Sequence, residues 1–337
     1  MRNMVLPGKR IAAFVAVLVA VLMAVVLAAC LPMQAALAQP HPQAAPSITQ
    51  SITLPAPDGS RSAAAASADS GGSVQFIGTA TVLIRYQGFT ILTDPNFLHK
   101  GDHVHLGYGL RSQRLTSPAL ELSQLPPIDL FILSHLHEDH FDPLVQRQLS
   151  RDTLIVTTRE AGGNLSRIGF RRPVSLSTWE ALEIRKGDAR LIITAMPGRH
   201  GPTVIAALLP AVMGAMLDFG AQGAQPRYRM YISGDTLVFD DIALIPHRFP
   251  GIDLALLHLG GTRIFKMIKV TMDGKDGVQM LGIIAPRRAI PIHVNDYDVF
   301  KSPLEDFQRE VQAAGLAPVI TYLSHGETYR FGDFPAK

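Results

Sequence analysis

The sequence predicts an α/β fold built as a layered sandwich of β-sheets and helices. Short strand-type runs alternate with helical segments through residues 73–331, which is typical of layered α/β proteins. Several of these runs are apolar throughout, and residues 128–134 form the clearest one. Such a run suits a strand that is buried on both faces of a sheet. About 260 residues in this region suffice for one large domain.

Nine strands and three helices are predicted in chain order. The first strands open as a hairpin around a Gln87-Gly88 turn. Proline at residues 143 and 303 suits the first turn of a helix. The predicted strands are 74–77, 81–86, 89–93, 128–134, 154–157, 191–195, 230–232, 254–258 and 289–293, and the predicted helices are 143–149, 277–284 and 303–314.

The N-terminal residues 1–38 are predicted to form a signal peptide or a membrane or lipoprotein anchor. An apolar run at 11–31 follows basic residues, as in secretory signals. Three outcomes remain open. Cleavage after Ala38 fits the residues Ala36-Leu37-Ala38, lipidation fits a bacterial lipobox that ends at Cys30, and an uncut run would just span a bilayer. Each predicts export, to the periplasm or as a membrane-anchored protein, with membrane association through the N-terminus.

Residues 39–72 are rich in Pro, Ala, Ser and Gln, and we predict a disordered tether there. The folded domain is then expected at 73–331. The net charge is only +3 and no dense basic run is present, so a nucleic-acid partner is not expected. The single cysteine, Cys30, excludes an internal disulfide and any cysteine-ligated metal site in the domain.

The segment 134–140, with the sequence SHLHEDH, is the strongest functional signal in the chain. It follows a buried strand, where so many polar side chains are costly unless they bind something. His135 and His137 are two residues apart, so in extended backbone they point the same way. Asp139 and His140 follow where the chain must turn, and they can face a neighbouring point. One loop can therefore supply ligands to two adjacent metal ions.

This motif resembles that of the metallo-β-lactamase superfamily. The closer resemblance is to the branch with ascorbate-6-phosphate lactonases and the phospholipase D that hydrolyses N-acyl-phosphatidylethanolamine. It extends from FIGTAT at 76–81 to LSHGE at 323–327. The resemblance implies an αββα sandwich, in which two mixed β-sheets are flanked by helices.

The resemblance also implies the remaining metal ligands. His200 would complete the first metal site with His135 and His137. Asp235 would bridge both metals, and His293 would join Asp139 and His140 at the second. Each residue follows an apolar strand.

Three other residues are candidates for supporting roles. The resemblance implies that Asp94 orients a metal-bound histidine, although an Asp-Pro turn would also explain it. His325 is a candidate active-site residue, and His258 also follows an apolar strand. For these two histidines, a hydrogen-bonded position in the core or at the rim is the alternative.

Imidazole and carboxylate ligands predict two divalent metal ions, with zinc expected and manganese or iron as alternatives. Metal binding lowers the pKa of water from about 16 to about 7. A metal-bridging hydroxide, oriented by Asp139, is therefore expected to attack a phosphodiester, ester or lactone. Zinc β-lactamases often use a cysteine ligand, so antibiotic hydrolysis is not expected. The alternative is a metal-binding protein of the same fold without hydrolytic turnover, such as a sensor or a redox scaffold.

The almost wholly apolar stretch at 204–217 directly follows His200. Pro210 and Gly214 exclude a regular helix across it. It is either an ordinary core segment or an apolar wall or membrane-facing lip beside the metals. The wall or lip would suit an acylated or phospholipid-like substrate, and a small-molecule substrate is the alternative.

Overall fold

The structure is a computed structural model that describes residues 47–56, 71–107, 109–264 and 267–331. The predicted targeting segment at 1–38, with Cys30, lies outside the described residues, as does most of the predicted tether. Within the described ranges, every helix is too short or too polar to cross a membrane.

Eighteen strands and six α-helices are present in the described residues. The strands are β1 (Ser47–Leu54), β2 (Ser73–Gly78), β3 (Thr81–Tyr86), β4 (Phe89–Thr93), β5 (His103–His105), β6 (Arg111–Gln113), β7 (Leu130–Ile132), β8 (Leu154–Thr158), β9 (Arg172–Leu176), β10 (Glu180–Lys186), β11 (Ala189–Met196), β12 (Gly214–Ala221), β13 (Tyr228–Ile232), β14 (Leu254–His258), β15 (Arg263–Ile264), β16 (Ile268–Lys269), β17 (Arg288–Ile292) and β18 (Thr328–Arg330). The helices are α1 (Pro143–Gln148), α2 (Arg159–Arg167), α3 (Thr203–Ala206), α4 (Leu244–Arg248), α5 (Gly274–Ile284) and α6 (Leu304–Ala313).

Two mixed seven-stranded sheets form the centre of the fold. One has the order β18-β2-β3-β4-β7-β8-β9, and the other has the order β1-β10-β11-β12-β13-β14-β17. A large apolar cluster lies between the sheets and includes Ile91, Val156 and Leu217. A second cluster packs helices α4, α5 and α6 on the outer face of one sheet. A third packs α1 and α2 on the other sheet. The predicted αββα sandwich is confirmed.

The predicted strands and helices are present, with small shifts at their ends. The Gln87-Gly88 turn joins β3 to β4, and both residues have positive φ, 49° and 79°. Positive φ at both central residues matches the twist of the flanking strands, which is why such turns close two-residue hairpins. The elements that were not predicted are strands β1, β5, β6, β9, β10, β12, β15, β16 and β18 and helices α2, α3 and α4.

The prediction of a disordered tether is wrong for residues 47–54, which form β1. This strand pairs in parallel with β10, from Ser47 opposite Glu180 to Leu54 opposite Lys186. Its side chains are mostly exposed, and only Leu54 is buried. A polar edge strand is held by backbone hydrogen bonds to its neighbour more than by an apolar face. Its composition therefore resembles that of a linker.

The carboxyl ends of several strands meet at one edge of each sheet. Strand β4 is parallel to β7 in one sheet, and β13, β14 and β17 are parallel in the other. Strand β11 runs the same way as β13, because each is antiparallel to β12. Backbone hydrogen bonds join the two edges, including those from Met213 to Ser134 (3.1 Å) and from His293 to Thr79 (2.6 Å). This shared edge carries the candidate site.

Candidate metal centre

The predicted ligands all follow strands that end at this shared edge. The loop after β7 carries four of them, and the loops after β11, β13 and β17 carry one each. The resulting seven side chains form two groups in which one ligand atom per residue lies within 4.8 Å of the others in its group. The first group is His135, His137 and His200, and the second is Asp139, His140, Asp235 and His293.

In the first group, Nε2 of His135 lies 3.0 Å from Nδ1 of His137. The other ring nitrogen of His135 lies 3.0 Å from the Ser134 hydroxyl. Nδ1 of His200 lies 2.9 Å from the carbonyl oxygen of Val270, which leaves its Nε2 to face the group. An outer partner on one ring nitrogen orients the other nitrogen for metal binding.

In the second group, Nε2 of His140 lies 3.2 Å from Oδ2 of Asp235. Nε2 of His293 lies 3.5 Å from Oδ2 of Asp139, and its Nδ1 lies 3.1 Å from the Leu259 carbonyl oxygen. The two groups are adjacent, because the ring centroids of His135 and His140 are 4.2 Å apart. The two groups that could each hold a metal ion are therefore neighbours.

Buried polar atoms without a hydrogen-bond partner show that this donor set fits metal ions. Four of them belong to the second group: Asp139 Oδ1, His140 Nε2, Asp235 Oδ1 and His293 Nε2. Orphaned buried polar atoms are rare in folded proteins because leaving them unpaired costs free energy. Here they belong to one buried group of side chains, and a divalent cation would satisfy them.

The electrostatics of the two groups differ. Burial and the neighbouring His200 together lower the pKa of His137 to about 4. Burial also lowers the pKa of His135 and that of His200. These three imidazoles are therefore held in the neutral form, which is the form that binds metals.

Burial alone would lower the pKa of His140, but the carboxylates of Asp235, Asp139 and Asp94 together raise it well above its usual value. The pKa of His293 is raised in the same way, because Asp235 and Asp139 outweigh burial. The acids of the second group therefore favour positive charge at this point. A divalent cation supplies that charge, and its binding would displace protons.

Asp94 lies behind the second group, at the end of β4. Its Oδ1 accepts a hydrogen bond from the Ser134 backbone N–H (2.7 Å) and lies 3.5 Å from Nδ1 of His140. Its Oδ2 lies 3.4 Å from Nε2 of His258. This is the position expected of a residue that orients His140.

Two of these residues have unusual backbone conformations. Asp94 has a φ of 35° and His293 has a φ of 57°. Positive φ is costly for residues other than glycine, and it persists only where the surroundings hold it. In both residues this conformation occurs directly after a strand, at the point where the chain turns into the site.

His258 is the residue that the sequence left undecided and the structure places beside the site. It ends β14, is fully buried, and its ring stacks on that of His140 with 6.0 Å between centroids. Its Nδ1 lies 3.3 Å from the Ser233 hydroxyl, two residues before Asp235. The signal for it was the same as for the ligands, namely a histidine that ends an apolar strand.

His325 falls in neither ligand group. Its Nε2 lies 3.0 Å from Oδ1 of Asp296, and its Nδ1 lies 3.1 Å from the Ser117 carbonyl oxygen. Asp296 in turn accepts a hydrogen bond from the Thr79 backbone N–H (2.8 Å), and the Thr79 carbonyl accepts from that of His293. The structure thus connects His325 to the site through Asp296 and Thr79.

A cleft opens beside the two groups and is lined by His137, Asp139, His200 and Asp235. Two hairpins contribute to its walls, β5–β6 and β15–β16. Most of the remaining lining is apolar, from Leu106, Leu110, Leu209, Ile264, Val270 and Val299. Arg111 and Arg263 also line the cleft. It is referred to below as the site cleft.

The apolar stretch at 204–217 is divided between both predicted roles. Residues 214–217 begin β12, a strand inside the sheet, and their side chains are buried in the core. Leu209 lines the site cleft, and Val204 on α3 is 56% exposed. Leu209 therefore lies at the cleft, and the second half of the stretch is ordinary core.

Comparisons with known proteins agree with this geometry. Residues 90–294 match the family described as the Beta-lactamase superfamily domain, and they include all seven predicted ligands. The UPF0173 metal-dependent hydrolase of Archaeoglobus fulgidus is 30% identical over 216 residues, which cover 60% of this chain and 82% of that protein. Its counterpart in Carboxydothermus hydrogenoformans is 26% identical over 258 residues, 75% of this chain and 97% of that protein.

Among solved structures, an isothiocyanate hydrolase from Delia radicum gut bacteria superposes with a TM-score of 0.64 at 21% identity. The superposition covers 77% of this chain and 99% of the isothiocyanate hydrolase. At this sequence identity the similarity shows only that the fold is shared. The chain belongs to the Beta-lactamase superfamily domain family, and it is a metal-dependent hydrolase of the metallo-β-lactamase fold. The superfamily resemblance is confirmed, and the narrower branch stays a prediction.

Proposed function

We propose that this protein is an exported, dinuclear metal-dependent hydrolase that cleaves a phosphodiester, an ester or a lactone. The observation that supports two metal ions is the presence of two adjacent ligand groups fed by one loop. His135 and His137 belong to the first group, and Asp139 and His140 belong to the second. Zinc suits these imidazole and carboxylate ligands, with manganese or iron as alternatives.

The two metal ions, when bound, supply an activated water and polarise the bond to be cleaved. The chain's own residues hold the ligands and keep the site dry. Every residue of the second group is buried, so the charges there act in a poorly screened environment. Oδ1 of Asp139 has no hydrogen-bond partner among the described residues. In this proposal the Asp139 carboxylate orients the attacking water and transfers its proton to the leaving group.

The apolar part of the site cleft supports a substrate with an apolar portion, which includes lipid-like molecules. Export rests on the sequence at residues 1–38, where an apolar run follows basic residues. The expected location is the periplasm or a membrane, through cleavage after Ala38, lipidation of Cys30 or retention of the run. Fractionation of cells producing the full chain tests this, and recovery of all the protein in the cytoplasm would contradict it.

Metal analysis and turnover of the full chain test the dinuclear site. We expect about two metal ions per chain, and about one in His137→Ala and in His293→Ala, because each variant damages a different group. Hydrolysis of a chromogenic phosphodiester, ester or lactone should fall about 100-fold or more in both variants. His103→Ala is the matched control, because His103 is an exposed histidine on β5 outside both groups.

Two outcomes would contradict the proposal. A single metal ion per wild-type chain would exclude the dinuclear site. Two bound ions with no turnover of any substrate in the panel would favour the alternative, a metal-binding protein without hydrolysis.

A further inference from the structure

Arg111 is a charged residue of the site cleft that the proposed chemistry does not use. It lies on β6 and lines the cleft together with the ligands His137 and Asp139 and the apolar side chains of Leu106 and Leu110. A guanidinium group in such a setting is strongly attractive to oxyanions, because it presents several N–H donors in a planar array.

The position of Arg111 is tied to the metal ligands through the backbone of its hairpin. On one strand, the His105 backbone N–H donates to the Glu138 carboxylate (2.6 Å), and Glu138 lies between His137 and Asp139. His105 is paired directly with Arg111 across the hairpin. On the other strand, Ser112 donates from its hydroxyl to Oδ1 of Asp298 (2.7 Å), in the loop that follows His293.

The charge of Arg111 is not balanced within the cleft. Among the described residues that line the cleft, only Asp139 and Asp235 are acidic, and both belong to the second ligand group. In the described part of the chain, no carboxylate forms an ion pair with Arg111. The other cleft arginine, Arg263, differs in this respect, because its guanidinium lies 3.9 Å from Oδ2 of Asp273.

We propose that Arg111 binds a negatively charged group of the substrate, distant from the bond that is cleaved. The substrate class is then an amphiphilic anion whose apolar body packs against Leu106, Leu110 and Leu209 and whose carboxylate or phosphate reaches Arg111. This inference rests on the proposed hydrolytic function, since it describes the substrate of that same cleft. Neutral esters and lactones of the same size would then be poorer substrates than the anionic ones.

Esters that differ only at the far end test the proposal with the metal-loaded full chain. The set is p-nitrophenyl hexanoate, the mono-p-nitrophenyl ester of adipate, and p-nitrophenyl 6-phosphonooxyhexanoate. We expect a higher kcat/KM for the two anionic esters than for the neutral one. Arg111→Ala should lower kcat/KM for the anionic esters about tenfold, as expected for loss of a charge-assisted hydrogen bond. The neutral ester should change by less than about twofold.

Matched variants separate this role from a general loss of positive charge. Arg263→Ala should have a smaller effect, because Asp273 already pairs with Arg263. Arg172→Ala, at an exposed position on β9, should have none. Arg111→Lys should recover part of the preference. The anionic ester that loses more kcat/KM in Arg111→Ala shows whether Arg111 binds a carboxylate or a phosphate. An equal loss for neutral and anionic esters, or no loss, would overturn the proposal.

Binding of uncleaved analogues separates this proposal from the hydrolytic one. N-methylhexanamide and the mono-N-methylamide of adipate have the same apolar body, and calorimetry with metal-loaded protein measures their affinities. We expect tighter binding of the anionic amide and loss of that preference in Arg111→Ala. If this preference is present but no ester is cleaved, the hydrolytic proposal fails and the role of Arg111 stands. Equal binding of both amides, with esters cleaved, leaves the hydrolase and overturns the role of Arg111.

Discussion

Asp94 shows at the scale of a single residue how a buried charge supports a site without belonging to the ligand groups of the two proposed metals. Its two oxygens contact the Ser134 backbone N–H, His140 and His258. The surrounding histidines lower the pKa of Asp94 although burial opposes this, so the side chain stays ionised. The ionised carboxylate can hold His140 with Nδ1 turned away from the second ligand group and Nε2 turned toward it.

Replacing Asp94 should therefore weaken metal binding while the fold persists. Asp94→Asn keeps the shape and tolerates the positive φ at this position, since asparagine adopts that conformation readily. We expect affinity for the second metal ion to fall about 10- to 100-fold, measured by competition with a chelator.

Asp152→Asn is the control, because Asp152 is an exposed aspartate whose partner is Arg171. Unchanged affinity in Asp94→Asn would show that Asp94 does not support the second site.

At the scale of elements, the packing around helix α5 determines at which positions a residue larger than glycine fits. A Cβ at Gly277 would lie 2.9 Å from Leu259 and from Phe307 of α6, so the two helices approach closely there. A Cβ at Gly282 would meet nothing within 4 Å. Gly277 is therefore tightly packed against neighbouring side chains, whereas Gly282 has open space beside it.

Alanine substitutions at these two positions should have effects of opposite sign. Gly282→Ala should stabilise the protein by about 0.5–1 kcal/mol, because alanine favours the helix and nothing obstructs it. Gly277→Ala should destabilise it by about 1–3 kcal/mol, because overpacking outweighs that gain. Urea unfolding of both variants measures the difference, and stabilisation by Gly277→Ala would mean that α5 and α6 separate easily.

At the scale of the whole molecule, the proposed metal centre lies where loops from the two sheets meet. Loops from both sheets supply the second group, since Asp139 and His140 follow β7 while Asp235 and His293 follow β13 and β17. A cation that binds all four holds the edges of the sheets together. Without it, the buried carboxylates and imidazoles face one another with unpaired atoms.

Removing the metals should therefore lower the stability of the folded protein. Ligands that bind only the folded state add about 2.7 kcal/mol when present at 100 times their Kd. We expect the urea midpoint to fall in chelator and to recover on adding zinc or manganese. The recovery should be smaller in His293→Ala, and identical midpoints with and without chelator would contradict a shared site.

What the sequence by itself determined is mostly local. Alternating and continuous apolar runs predicted nine strands, because the side chains of neighbouring residues in a strand have a simple period. The four ligand candidates in the loop after β7 were recognisable because they lie close together in the sequence, directly after a buried strand. The more distant residues His200, Asp235 and His293 came from the family resemblance, and no spacing along the chain would have joined them.

Only the tertiary structure decided which distant segments meet. It paired β1 with β10 although the sequence of β1 resembles a linker, and it placed β12 inside a sheet. It also brought His258 behind the second ligand group and Arg111 into the site cleft. These features depend on the order of strands and on the packing of two sheets. Local periodicity carries no information about either, because sheet pairing joins residues far apart in the chain.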